Sequence, residues 1–339
     1  LCLILFIVSI AGASAAEDVN QTDNLELSSN SNSEDKVDLD NNNGLDESDD
    51  LNKKLESDSN ILAMSKADKL TGKTIDVENF TFKDIQKAVD SADDGDTVYL
   101  KAGTYLNNGN GQININQNNI SIVGVKDSTI LDAQKTSRIF NINTRSGITI
   151  KDIVFINGNA DHGGAVYWDG DCGILSGSNF SSNEANNGGA IFKADAINCT
   201  FISNSAHNGG AIFSQDLVMS GDSSHTAVNC TFIDNSAEEA GGAIYGNNAE
   251  NSMFIGNHAN DGGAMNSDEM RTAINCTCIG NSARNGGGAI LFYDVENSTF
   301  IGNSAHYGGA TAVSDFKKGL KFRREVRDRD RDLRSEQLQ

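Results

Sequence analysis

Few residues in this chain are equipped for chemistry. Tyr167 and Trp168, the single tryptophan, stand beside Asp169 and Asp171, and Asp216, Asp222, Asp268 and Glu269 lie in two later polar stretches. An aromatic plane flanked by carboxylates suits a sugar face or a ligand bridged by calcium. Ca2+ is thus the one cofactor these residues suggest, and no catalytic constellation accompanies them. The N-C-T triplets at Asn198, Asn229 and Asn275 and the N-S-T triplet at Asn297 are candidate glycosylation acceptors if the chain is secreted. Cys276 and Cys278 form C-x-C without a second pair or nearby histidines, which argues against zinc.

What could position these residues is an internal repeat. Gly-Gly-Ala begins at Gly163, Gly188, Gly209, Gly241, Gly262, Gly287 and Gly308. Before each of the last six stands F-x-x-N, as Phe180/Asn183, Phe201/Asn204, Phe232/Asn235, Phe254/Asn257, Cys278/Asn281 and Phe300/Asn303, with Cys278 once in place of Phe. The shortest spacing, 21 residues, holds about three short strands with their turns, one coil of a solenoid. In a parallel solenoid equivalent positions stack ~4.8 Å apart, so every repeated residue becomes a ladder. The spacing predicts roughly ten coils over 75–314. Phe should point inward, and Asn three residues later should take a left-handed bend and bond to its neighbours above and below. Alternation also turns Ser178, Cys199, Cys230, Ser252, Cys276 and Ser298 inward, and turns Asn198, Asn229, Asn251, Asn275 and Asn297 outward. The cysteines then behave as small buried groups, with Cys199 and Cys230 reduced. The sequons become products of ladder geometry.

Upstream, Phe82, Ile85 and Val89 at helical spacing predict a helix that stops at Gly95, followed by short strands rich in Ile, Val and Phe. The chain has 34 glycines, no proline and 38% apolar residues, which excludes collagen-like folds and a conventional large core. Acidic residues outnumber basic ones 47 to 26, and a net charge of −21 argues against nucleic acid as a partner. Residues 1–16 are apolar and end near Ala13-Ser14-Ala15, as a secretory signal peptide does, with the true start missing before Leu1. Nothing later is apolar enough to predict a transmembrane segment in the mature chain. Residues 17–68 are acidic and lack aromatics, so a disordered spacer is expected. Asp40-Asn41-Asn42-Asn43-Gly44 imitates a calcium loop, but position one then falls on Leu39, which cannot ligate. The solenoid is expected over 69–316, and 317–339, with 9 basic and 5 acidic residues, as a disordered or aberrant tail.

The two repeat words resemble those of chlamydial polymorphic outer-membrane proteins and of adhesin-like surface proteins of methanogenic archaea. Phe82 to Tyr105, FKDIQKAVDSADDGDTVYLKAGTY, looks like the N-terminal cap of pectin-lyase-like β-helices. The resemblance implies an all-β fold, a right-handed parallel β-helix with an N-terminal capping helix, placed outside or on the cell. It further implies attachment to surface glycans or surface proteins of other cells, without catalysis. The alternative is a lyase or hydrolase acting on uronic-acid polymers. Between residues 69 and 316, however, the arginines are Arg138, Arg145, Arg271 and Arg284, and none sits in a W-x-D-H-like motif; the nearest text is Tyr167-Trp168-Asp169-Gly170-Asp171.

Coil lengths alternate. From the first Gly of Gly-Gly-Ala to the next Phe, or to Cys278, the distances are 17, 13, 23, 13, 16 and 13. Since 13 completes a coil, the surplus should leave as loops on one face, within 167–179, 214–229 and 266–275. Those stretches hold the aromatic and acidic residues named first, which makes that face the expected binding surface.

Overall fold

The computed structural model describes residues 72–144, 147–168, 173–214, 225–269, 271–312, 320–323 and 326–327. The expected signal peptide and acidic spacer lie outside them. The described chain winds as a right-handed parallel solenoid whose sheets follow one another around each coil, three in the first coils and four from Asn159 onward. Sheet I has ten strands, from Thr74–Asp76 to Tyr293–Glu296; sheet II has ten, from Gly103–Leu106 to Lys321–Arg323. Sheet III has eight, from Asn159–His162 to Val326–Arg327, and sheet IV nine, from Ile113–Ile115 to Thr311–Ala312.

Sheet II carries the expected aromatic ladder. Phe155, Phe180, Phe201, Phe232 and Phe254 are fully buried, and successive rings stack with centroids 4.7–4.9 Å apart. In-register pairing does this: Phe180 faces Phe201, Phe201 faces Phe232, and each coil is one strand spacing from the next. The residues two before Phe are also inward, with Ser178, Cys199, Cys230, Ser252, Cys276 and Ser298 at most 2% exposed.

The bends differ from expectation in one respect. Asn183, Asn204, Asn235, Asn257, Asn281 and Asn303 are buried, and the left-handed residue is the one before each: Ser182, Ser203, Asp234, Gly256, Gly280 and Gly302, with φ between 50° and 64°. The inner Asn is needed for its amide. Asn204 Nδ2 donates to Phe180 O and to Asn235 Oδ1, each at 3.0 Å, and the Asn204 backbone N–H donates to the same Oδ1 at 3.0 Å. Asn at the sheet I to II corner takes the left-handed backbone instead: Asn198, Asn229, Asn251, Asn275 and Asn297 have φ of 49–55°. Gly-Gly closes the sheet III to IV corner. At Gly188, φ is +64° and an added Cβ would lie 2.0 Å from Ile191 O.

The helix Phe82–Asp90 closes the N-terminal end, burying Phe82, Ile85, Ala88 and Val89. Thr81 caps it by accepting from Asp84 N. Gln86 serves as a strand substitute on sheet IV: its Oε1 accepts from Asn114 N at 2.7 Å and its Nε2 donates to Asn114 O at 3.0 Å. At the other end the solenoid runs beyond the expected boundary at residue 316. Lys321–Arg323 pairs with Thr299–Ile301, and the Phe322 ring stacks 5.3 Å from Phe300. Phe322 falls in ladder register with Phe300, though at this end of the stack it is exposed.

Candidate functional site

All three surplus segments fall at the sheet IV to sheet I corner. Short corners there need one or two residues, beginning with a left-handed Lys193, Gly246 or Phe292 (φ 57°, 84° and 59°). The long corners lie between Trp168 and Gly173, Phe213 and Thr226, and Asn266 and Arg271, leaving alternate strands of sheet IV. Asp169, Asp171, Asp216 and Asp222 lie outside the described residues. Of the expected site, Tyr167, Trp168, Asp268 and Glu269 can be placed.

Trp168 is not a surface plane. It is fully buried and in register with Ile142, and its indole packs so closely that a Cβ on Gly173 would lie 2.3 Å from the ring. Alternation dictates this, because Val166 and Trp168 face inward and Tyr167 outward. Tyr167 begins a second aromatic ladder on the outer face of sheet IV, with Phe192, Phe213 and Tyr245 stacked at 5.1, 5.5 and 5.0 Å. Phe213 and Tyr245 are buried, so this ladder is a small outer core that surfaces only at Tyr167 and Phe192. There the His162 ring lies 4.9 Å from Phe192, and the Arg138 guanidinium sits 4.9 Å from the Tyr167 centroid. The residue after each Gly-Gly-Ala-Ile or Gly-Gly-Ala-Val word is aromatic in four consecutive coils, the signal that foretells this ladder.

Asp268 and Glu269 are exposed, each engaged by a neighbour. Burial and a hydrogen bond to the Asp268 carboxylate push the Tyr245 phenol well above its ordinary value. Arg271 Nη2 lies 3.2 Å from Glu269 Oε2. Among the described residues no group of three or more His, Cys, Asp or Glu side chains is placed to hold a metal ion. The sequon residues Asn198, Asn229, Asn275 and Asn297 stand exposed at their corner.

A second surface had no place in the sequence reading. The outer face of sheet III carries a groove of about 700 Å³ lined by residues from Glu184 to Arg284. The strand Ser236–Ala240 has one residue more than its neighbour: Ser236 pairs with Ser205, but Ala240 pairs with Asn208. This bulge turns consecutive Glu238 and Glu239 both outward. His207 Nδ1 stands 3.2 Å from Glu238 Oε2, and His258 Nδ1 is 2.9 Å from Ser282 Oγ. The signal was present, since Ser-Ala-Glu-Glu-Ala-Gly-Gly is one residue longer than Ser-Ala-His-Asn-Gly-Gly.

Residues 198–215 and 229–247 match the Chlamydia polymorphic membrane protein repeat. Each stretch runs from the Asn corner through the Phe strand to the Gly-Gly corner and into sheet IV. No curated protein sequence matches the chain. Among solved structures, a PL6 alginate lyase in complex with a trisaccharide is 14% identical, covering 68% of this chain and 60% of its own, with a TM-score of 0.41. Open reading frame 18 of Geobacillus virus E2 is 14% identical over 84% of this chain and 64% of its own, with a TM-score of 0.40. A mannuronic-acid-specific polysaccharide family 6 lyase from human gut microbiota is 11% identical over 74% and 80%, at 0.36. The chain thus spans less than two thirds of the first two of these structures. At such scores they carry no argument about its chemistry.

Proposed function

We propose that the chain is an adhesin-like binding module, secreted or displayed at the cell surface, that attaches to glycans or surface proteins of other cells and performs no catalysis. The observation that carries this reading is the pair of polymorphic membrane protein repeats, built into coils whose interior is closed by Phe and Asn ladders. A packed interior leaves interaction to the outer faces and corners. Length variation concentrated at one corner supports the same reading, since solenoids vary where they bind.

The test is attachment of beads coated with the full chain to target cells. Deleting residues 216–224 together with Asp268→Asn and Glu269→Gln should abolish attachment while the melting temperature holds. Unchanged attachment would remove the long corners from the binding surface, and no attachment by the intact chain would overturn the reading. The alternative, a lyase or hydrolase on uronic-acid polymers, draws on the His207–Glu238 pair, a base beside a carboxylate. It predicts product release from polygalacturonate or alginate that His207→Ala abolishes.

A further inference from the structure

We propose that the groove on the outer face of sheet III binds an extended glycan free of acidic sugars, its chain running along the solenoid axis. This deepens the reading of the chain as a binding module and rests on it. The groove crosses successive strands of sheet III, from Glu184–Asn187 through Ser205–Asn208, Ser236–Ala240 and His258–Ala259 to the neighbourhood of Arg284. Its volume, about 700 Å³, is that of a ligand site.

Three observations select the occupant. The first is periodicity. Glu184, Ser205, Ser236 and His258, all lining the groove, occupy one register position on successive strands, a polar row with a step of ~4.8 Å. A pyranose in an extended chain is of similar length, so each successive sugar meets a polar side chain of this row.

The second is lining chemistry. Glu, Asn, Ser, His and Arg surround small alanines, with none of the aromatic or large aliphatic anchors on which a protein partner's affinity depends. Hydroxyl-rich ligands are held by many donors and acceptors at short range, and carboxylates are strong acceptors for sugar hydroxyls or ammonium groups.

The third is charge. Glu184, Glu238 and Glu239 face the groove against the single guanidinium of Arg284, and Glu184 is held 3.5 Å from Lys135 Nζ at its edge. The bulge raises carboxylate density by placing two adjacent glutamates on one face. Uronic or sialic acids would set like charges opposite each other, which disfavours them. Neutral and amino sugars fit.

The experiment is calorimetric titration of the full chain with cellopentaose, the N-acetylglucosamine pentamer, the glucosamine pentamer and pentamannuronate. At least one of the first three should bind, at least about tenfold tighter than its dimer because the site spans several coils, and pentamannuronate should not. Two variants carry the test. Deleting Glu239 restores the regular strand length seen at Ser205–Asn208, and Glu238→Gln with Arg284→Ala changes only exposed side chains. Each should weaken binding at least about tenfold with the melting temperature kept. Failure of all three non-acidic pentamers, tightest binding of pentamannuronate, or full binding by both folded variants would overturn the proposal. If cells attach while no pentamer binds, the groove falls and the binding-module reading stands; if pentamers bind and cells do not attach, the reverse holds.

Discussion

At the scale of single residues the inner Asn is the most constrained. Asn235 accepts from the Asn204 backbone and side chain, and donates to Phe201 O and Asn257 Oδ1. Asn235→Ala would orphan several groups with no water to replace it. At about 1–3 kcal/mol per buried unpaired group, the variant should lose several kcal/mol in chemical denaturation, whereas Asn229→Ala at the exposed corner should lose far less. Thiol reactivity is a second residue-scale outcome. Cys199, Cys230, Cys276 and Cys278 are buried and in no disulfide, and burial pushes the Cys276 thiol up to about 12. Iodoacetamide at pH 8 should therefore leave all four unmodified in native protein and label them after unfolding, read by peptide mass spectrometry. Inward Phe, Ser and Cys were legible in the sequence because alternation has one phase once Phe is set inside. The left-handed residue was not, because Ser182, Ser203 and Asp234 share their position with Gly256, Gly280 and Gly302, and only that set betrays the geometry. Trp168 follows the alternation rule: one position separates it from outward Tyr167, and its phase, not its nearness to acidic residues, turns it inward.

At the scale of elements, corners decide what can change. Gly188→Ala asks for a positive φ and puts a methyl 2.0 Å from Ile191 O, so a loss of at least ~1 kcal/mol is expected in thermal melts, against little effect for a substitution at exposed Glu184. The N-terminal cap offers a pH test. Asp96 accepts from Asp93 N at 2.8 Å and from Lys73 N at 2.9 Å and lies 3.2 Å from Lys73 Nζ, and these bonds hold its carboxyl below the ordinary 3.8. A depressed folded value means the contribution is present above 3.8 and is lost as pH falls from there through the folded value. Melting temperature should drop in that window and the drop should shrink in Asp96→Asn; an identical profile would remove Asp96 from the cap's acid sensitivity. The three long corners were legible because a fixed minimum of 13 residues makes any surplus visible. The bulge at Glu238 and Glu239 was not read, since the one-residue excess hides between two words whose total spacing already varies.

At the scale of the molecule, the strands of each coil pair only with those of its neighbours, so stability propagates mainly through interfaces between adjacent coils. A few side chains reach one coil further, as where the Tyr293 hydroxyl donates to Asn247 O at 2.9 Å, but strand pairing is between adjacent coils and the described cysteines form no disulfide. Cooperativity then depends on continuous ladders, and Phe201 is a link in the aromatic one, stacked 4.9 Å from Phe180 and 4.7 Å from Phe232. Phe201→Asp would place a charge between two buried rings, at a cost of several kcal/mol. In a globular core such a loss lowers one melting transition. In a one-dimensional array it also weakens the coupling between the coils on either side, those ending near Phe180 and those beginning near Phe232. The wild type should melt in a single calorimetric transition and Phe201→Asp in two. Hydrogen exchange should locate the earlier opening in residues 195–240 and leave the helix-capped coils around Phe140 and Phe155 protected. A single transition merely shifted downward would mean that coupling along the solenoid exceeds the cost of one broken rung, and a variant that melts like wild type would mean that Phe201 does not face the interior.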